Sequence, residues 1–437
     1  MNSGVFDKFS QKLEKIMLPI STKLGSQRHL AAIRDGMAIL IPVTIIGGFS
    51  ILLAQPPVDP TTMTNSNFFY AFLLGWYHWA QTYSHILMIP FNLTIGLLSL
   101  YVVVSVAYRL SEKYQLPKLE TAFIALLAFM SVAAVPESLE NGNYIPSANL
   151  GASGMFIAMI VALVVVEVTN WCFKKNLTIK LPESVPPNVA SPFKILIPMV
   201  LSVVGFIFIN ILCQMITGGG LCDLIMTLLS PLLSATDSLP SILFLLILSN
   251  LFWFFGIHGD NMIGAVVTPI TTMNVALNLE AYTNGQEMTH IFAGQFNGVW
   301  GTWTVYIALL ISLWVVAKSK QLVSLRKLAP VATTFNINEP QIFGIPVVLN
   351  IYLLIPMMLC LIINVCAAYG LTYIGLIGKV YMVLPWTTPA PIAAVLSTMD
   401  IKALFLWIIL TIIDVIILCP FVKSYDKTLL DMEHTND

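Results

Sequence analysis

Apolar runs of about 15 to 25 residues, divided by short polar stretches, make up most of the chain, and their length is that of membrane-crossing helices. At the start, Val5, Phe6, Phe9, Leu13, Ile16, Met17, Ile20 and Leu24 recur at helical spacing with lysines between them, which predicts an amphipathic helix lying in a membrane interface. Spans are then expected at about Ala31–Ala54, Ser84–Tyr108, Leu119–Val135, Gly151–Phe173 and Phe193–Ile216, the fifth preceded by a linker, Leu181–Pro192, too proline-rich to be helical. Later runs, at about Ser241–Phe255, Gly301–Ala317, Val347–Tyr369, Val380–Leu396 and Ala403–Val422, complete an all-α polytopic membrane fold of about ten transmembrane helices.

Two stretches break the pattern. Residues 257 to 301 alternate apolar and polar patches without a single Lys or Arg. Pro330 to Pro346 carries Thr333, Thr334, Asn336, Asn338, Glu339 and Gln341 among three prolines, which is too polar for lipid, while Phe335, Ile337, Ile342, Phe343 and Ile345 make it too apolar for a free loop. Backbone of this kind survives at membrane depth when it is buried in protein or lines a cavity, so a re-entrant hairpin is expected at each break. The chain thereby divides into 1–236, with plain spans and short charged loops, and 237–437, with broken spans, where function is expected.

Charge adds orientation. Basic residues follow the second span (Arg109, Lys113, Lys118), the fourth (Lys174, Lys175, Lys180) and the last (Lys423, Lys427), whereas the intervening loops lack them, which places both termini inside. The alternation fails once: simple counting leaves Lys318, Lys320, Arg326 and Lys327 outside. A hidden crossing between Asp260 and Glu280 would repair the count; the hairpin reading is the one favoured here.

Composition removes other classes. With 57% hydrophobic and 10% charged residues the chain is no soluble domain, and a formal net charge of -1 leaves no nucleic-acid footprint. No cleavable signal is expected in the first 28 residues. The six cysteines are scattered through apolar runs with no metal spacing, so neither a metal nor a cofactor is expected. There is no nucleotide-binding G-x-x-x-x-G-K-[ST], no series of spaced arginines and no ion filter.

The candidate chemistry lies in three motifs. Asn336–Pro340, N-I-N-E-P, places a carboxylate where it can accept from a polyol, relay a proton or act as a general base; pairing with Arg326 or Lys327 for stability alone is the bland alternative. In F-G-I-H-G-D-N, Phe255–Asn261, glycines flank His258 and let the backbone come close to a ligand. In V-L-P-W-T-T-P-A-P, Val383–Pro391, Trp386 can serve as a platform for a sugar face beside Thr387 and Thr388, or as an interfacial anchor. Glu120, Glu167 and Asp414 are read as structural, and Asn297 as a further cavity-lining residue.

Taken together, G-I-H-G-D-N, F-N-I-N-E-P-Q-I-F-G (Phe335–Gly344), the V-P-P-N-V linker (Val185–Val189) and L-P-W-T-T-P (Leu384–Pro389) resemble the enzyme IIC membrane subunit of the phosphoenolpyruvate-dependent sugar phosphotransferase system, in its lactose, cellobiose and N,N'-diacetylchitobiose branch. The resemblance implies a homodimer in the bacterial plasma membrane, with the first five spans at the dimer interface and the rest enclosing a disaccharide. It implies that Glu339 and His258 stand at the sugar 6-hydroxyl as catalytic residues, with Asn336, Asn338, Gly259, Asn261, Trp386, Thr387 and Ser191 as substrate contacts. The phosphoryl donor is then a phosphocysteine on enzyme IIB, expected as a separate polypeptide because the cysteines here sit in membrane segments and Asp437 closely follows the last span. Ser191-Pro192-Phe193 departs from the family's Asn-Ser-Phe or Arg-Ser-Phe and leaves the disaccharide open. An ion-coupled transporter in which Glu339 cycles a proton, and a sugar-sensing receptor, are the rival readings.

Overall fold

The computed structural model describes residues 27–54, 56, 68–139, 142–179, 182, 192–345 and 350–436. The expected N-terminal interfacial helix, the V-P-P-N-V linker and Ser191 lie outside the described residues. The chain forms two compact units, Gln27–Ser234 with Thr268–Leu277, and Ala235–Val267 with Asn278–Asp437.

The first unit contains α1 (Arg28–Ile39), α2 (Ile41–Ala54), α3 (Phe68–Leu87), α4 (Ile89–Thr94), α5 (Leu98–Lys113), α6 (Lys118–Ala133), α7 (Met155–Lys174), α8 (Leu196–Thr217) and most of α9 (Leu221–Thr236). α5 is its centre, packed by α1, α6 and α7. Without a driving force from water, helices in lipid adhere by close packing of small side chains. Ala122, Ala125, Ala128, Ala158 and Ala162 are accordingly fully buried, and a Cβ on Gly36 would come within 2.9 Å of Val106 Cγ2. Glu167 accepts from the Tyr114 hydroxyl and pairs with His29 Nε2 at 2.7 Å.

The second unit contains α10 (Leu239–Phe254), the ends of α11 (Gly259–Thr283), a π-helical turn (Asn297–Trp303) that continues into α12 (Thr304–Val316), three short helices α13 (Lys320–Leu328), α14 (Pro330–Thr334) and α15 (Glu339–Gly344), then α16 (Ile351–Tyr373), α17 (Ala390–Thr398) and α18 (Lys402–Asn436). α12, α16 and α18 share one apolar core. Leu322, Leu325, Ile342 and Ile345 of the short helices enter that same core, so the polar tip between them stands on a rigid base. At that base Asp426 of α18 accepts from Lys318 N at 2.9 Å and Ser319 N at 2.8 Å, supplying the cap that the Ser319 side chain does not.

Among the described residues seven helices are long and apolar enough to cross a membrane, or eight if the bent pair α1–α2 is one span. The protein is a largely helical, multi-pass membrane protein, and four expectations need correction. Residues 259 to 283, where a re-entrant hairpin is the favoured expectation, are one continuous helix, long and apolar enough to cross a membrane. Conversely, the run 380–396 is not a helix: Tyr381 N and Met382 N bond to Ser397 O, and only Ala390–Thr398 coils, because Pro385, Pro389 and Pro391 remove donors. α18 does not stop at Val422 but runs on through the charged tail to Asn436. The loop after α6 holds a two-stranded antiparallel ribbon, Glu137–Leu139 against Gly142–Tyr144, the one departure from all-α structure among the described residues.

Candidate functional site

The polar tip is built by local rules. Pro330 starts α14, which ends after one turn at Thr334. Asn336 then takes a left-handed φ of 63°, a conformation that Asn tolerates better than most residues, and the chain reverses. The Asn338 carbonyl accepts from Gln341 N and Ile342 N, both at 3.0 Å, and opens α15, with Pro340 in the first turn where no donor is needed. Glu339 sits at this helix N-terminus, exposed, in the place a carboxylate favours electrostatically. Arg326, the structural partner considered for it, is engaged elsewhere, donating to Ala317 O at 3.1 Å and lying 5.0 Å over the Trp314 ring.

Two of the three motifs meet at this tip. Asn336 Nδ2 donates to Trp386 O and Thr388 O, both at 2.7 Å, and so ties N-I-N-E-P to L-P-W-T-T-P. Trp386 is 50% exposed beside the half-buried Thr387 and Thr388. Replacing Asn336 by Ala is expected to lower stability by about 2 to 3 kcal/mol, the sum of two lost hydrogen bonds and a left-handed Ala. Asn336→Gly should recover the backbone part alone, and thermal melts of the two variants separate the contributions.

The third motif is held from α10. Ser249 Oγ donates to Asp260 Oδ1 at 2.9 Å and Trp253 Nε1 to Asp260 Oδ2 at 3.3 Å. The Trp253 ring also covers His258, with 4.2 Å between centroids. His258 caps α11, its Nδ1 accepting from Asn261 N at 3.3 Å, so in the neutral ring the proton is on Nε2 and the exposed edge of the imidazole is a donor. Gly259 is buried, and a Cβ there would lie 2.0 Å from Ser249 O, so its small size serves this packing. Asn261 is exposed. The His258 motif and the Glu339 motif belong to the same compact unit, Ala235–Val267 with Asn278–Asp437.

Sequence reasoning missed the amides that accompany these motifs. Gln295 Nε2 donates to Leu384 O, and Gln341 Nε2 to Tyr306 O at 3.2 Å and Thr333 Oγ1 at 2.6 Å. Each amide is thus oriented by its NH2 group, as Asn336 is, and the oxygens Gln295 Oε1, Gln341 Oε1, Asn336 Oδ1 and Asn338 Oδ1 are buried with no partner. A buried acceptor costs free energy until a donor reaches it, so this set favours a ligand rich in hydroxyl donors. The signal was present as glutamines inside apolar runs, in G-Q-F-N-G and E-P-Q-I-F, but a glutamine alone names no chemistry. Asn297, read as a cavity residue, is half-buried at the start of the π-helical turn.

The comparisons with known proteins agree on one family. The profile described as Phosphotransferase system, EIIC matches residues 34–360. The chain is 32% identical over 450 residues to the lactose-specific EIICB component of the PTS system of Lacticaseibacillus casei, covering 99% of this chain and 72% of that one. It is 30% identical over 433 residues to the oligo-beta-mannoside-specific EIIC component of Bacillus subtilis, covering 97% and 95%. The crystal structure of the transporter ChbC, the IIC component from the N,N'-diacetylchitobiose-specific phosphotransferase system, superposes with a TM-score of 0.87 at 29% identity, covering 97% of this chain and 99% of that one. The chain therefore belongs to the EIIC family of sugar permeases of the phosphotransferase system.

Proposed function

We propose that the protein binds a disaccharide of the cellobiose or diacetylchitobiose type, carries it across the bacterial plasma membrane, and presents its 6-hydroxyl to a phosphocysteine on enzyme IIB. The observation that carries this reading is the convergence of an exposed carboxylate, an imidazole donor and four unpartnered amide oxygens on one unit of the fold. The amide oxygens accept from sugar hydroxyls, and Trp386 offers an apolar face to a pyranose ring. In the transfer, the 6-hydroxyl oxygen attacks phosphorus as the S–P bond to the donor cysteine breaks. The hydroxyl proton passes to Glu339, and the thiolate of enzyme IIB leaves. His258 Nε2–H orients the hydroxyl or offsets charge developing on the phosphoryl oxygens. Ser191 and Asn261 are further contacts in this reading.

The helix found at Gly259–Thr283 also supports a revised path through the membrane. With α11 as a crossing and 380–396 as a re-entrant element, ten crossings remain, both termini stay inside, and Lys318–Lys327 moves to the inner face, where its charge belongs. Single cysteines in a cysteine-free background test this path. Ser324→Cys is expected to react with an impermeant maleimide only from the inner face and Gln286→Cys only from the outer; the reverse pattern would restore the hairpin reading. The proposal includes a homodimer formed through residues 1–236, for which light scattering in detergent should give twice the protomer mass; a monomer mass counts against it.

Membrane vesicles separate this function from its rivals. Labelled disaccharide is expected to accumulate as the phosphate, and only when enzyme IIB and its phosphoryl supply are present. Accumulation of unmodified sugar driven by a proton gradient would instead support ion-coupled transport, and binding without either would support a receptor.

A further inference from the structure

Asp414 lies in the membrane-spanning part of α18, fully buried, and its carboxyl meets α16. Asn364 Nδ2 of α16 donates to Asp414 Oδ2 at 2.7 Å. The remaining atoms of the same two groups, Asp414 Oδ1 and Asn364 Oδ1, are both buried with no partner. Asn364 is itself fully buried. An ionised carboxylate in this setting has only the Asn364 amide and the weakly donating Cys360 thiol beside it in hydrocarbon surroundings, and Asp414 Oδ1 and Asn364 Oδ1 stay unpaired, an arrangement of high cost.

We propose that Asp414 is a proton-binding site, held as the neutral acid, and that its Oδ1–H donates to Asn364 Oδ1. One proton then pairs both orphan oxygens and turns a single hydrogen bond into a reciprocal acid–amide pair joining α16 to α18. The titratable neighbour is the Cys360 thiol of α16, whose Sγ lies 3.9 Å from the Asp414 main-chain oxygen. Among the other elements packed on α18, α17 carries no titratable side chain, and the one on α12 is Tyr306. Among the described residues no Lys, Arg or His acts on the Asp414 carboxyl; Asn364 and the Cys360 thiol do. The site is remote in role from the sugar chemistry, and the proposal does not depend on which sugar is carried.

Infrared spectroscopy of the purified, reconstituted protein tests the proton directly. A protonated carboxylic C=O stretch is expected at neutral pH, lost in Asp414→Asn and retained in Glu339→Gln. Asp414→Asn keeps the shape and both hydrogen bonds, because the new amide donates to Asn364 Oδ1, so it should melt within about 2 °C of the parent chain. Asn364→Leu removes both bonds and should melt well below Asp414→Asn. A spectrum that Asp414→Asn leaves unchanged, or an Asp414→Asn chain that fails to fold, overturns the proposal. A melting point that falls in Asp414→Asn and that sodium ions raise in the parent chain alone does the same, and points to an ionised carboxylate holding a cation.

Discussion

Glu339→Gln is expected to bind disaccharide with nearly unchanged affinity and to lose phosphoryl transfer by about 10²- to 10⁴-fold, the range that a positioned general base supplies. The amide keeps the shape and the acceptor oxygen of the carboxylate but cannot take a proton. The N-terminus of α15 tolerates the loss of charge, since an exposed carboxylate there contributes only about 0.3 to 1 kcal/mol to the helix. Titration calorimetry for binding and product formation for transfer therefore separate the two roles. Loss of binding with transfer would make Glu339 a sugar ligand, and unimpaired transfer would remove it from the chemistry.

Gly259→Ala should produce a large structural effect at the α10–α11 corner. Its Cβ would overlap Ser249 O at 2.0 Å and approach Ser249 Oγ at 2.7 Å, and the nearer obstacle is backbone that cannot rotate away. The start of α11 must then part from α10, breaking the Ser249 and Trp253 bonds to Asp260 and uncovering His258. Overpacking of this severity costs about 3 kcal/mol or more. Size-exclusion profiles of detergent extracts should show little folded protein, whereas Gly75→Ala, where a Cβ meets nothing within 4 Å, should behave as the parent chain. Equal yields for the two variants would show that the α10–α11 corner yields more easily than its geometry implies.

What could be read from sequence follows from which signals lipid enforces. The spans α6 to α8 were legible because plain apolar runs flanked by Lys leave one arrangement, whereas the second expected span, Ser84–Tyr108, falls across α3, α4 and α5. The Asn336–Pro340 tip was legible because prolines and amides between apolar runs have no place in lipid. α11 was not, because its polar residues are satisfied inside the protein: Asn278 Nδ2 donates to His290 O at 2.7 Å and to Val380 O at 2.8 Å, contacts that no local pattern announces. The absence of Lys and Arg over residues 257–301 also silenced the charge rule where it was needed. At 380–396 apolarity was mistaken for helicity, although the prolines there spoke against it. The joining of N-I-N-E-P to L-P-W-T-T-P rests on Asn336 bonds to main-chain oxygens, which any sequence at 386 and 388 would provide, and so left no trace in the pattern.

The most direct test places the purified chain in liposomes, with disaccharide inside and phosphorylated enzyme IIB outside, and identifies the product. A disaccharide phosphorylated on a 6-hydroxyl should appear outside, with the parent chain and not with Glu339→Gln. Unmodified disaccharide released equally by both chains, with no phosphate ester formed, would contradict the account.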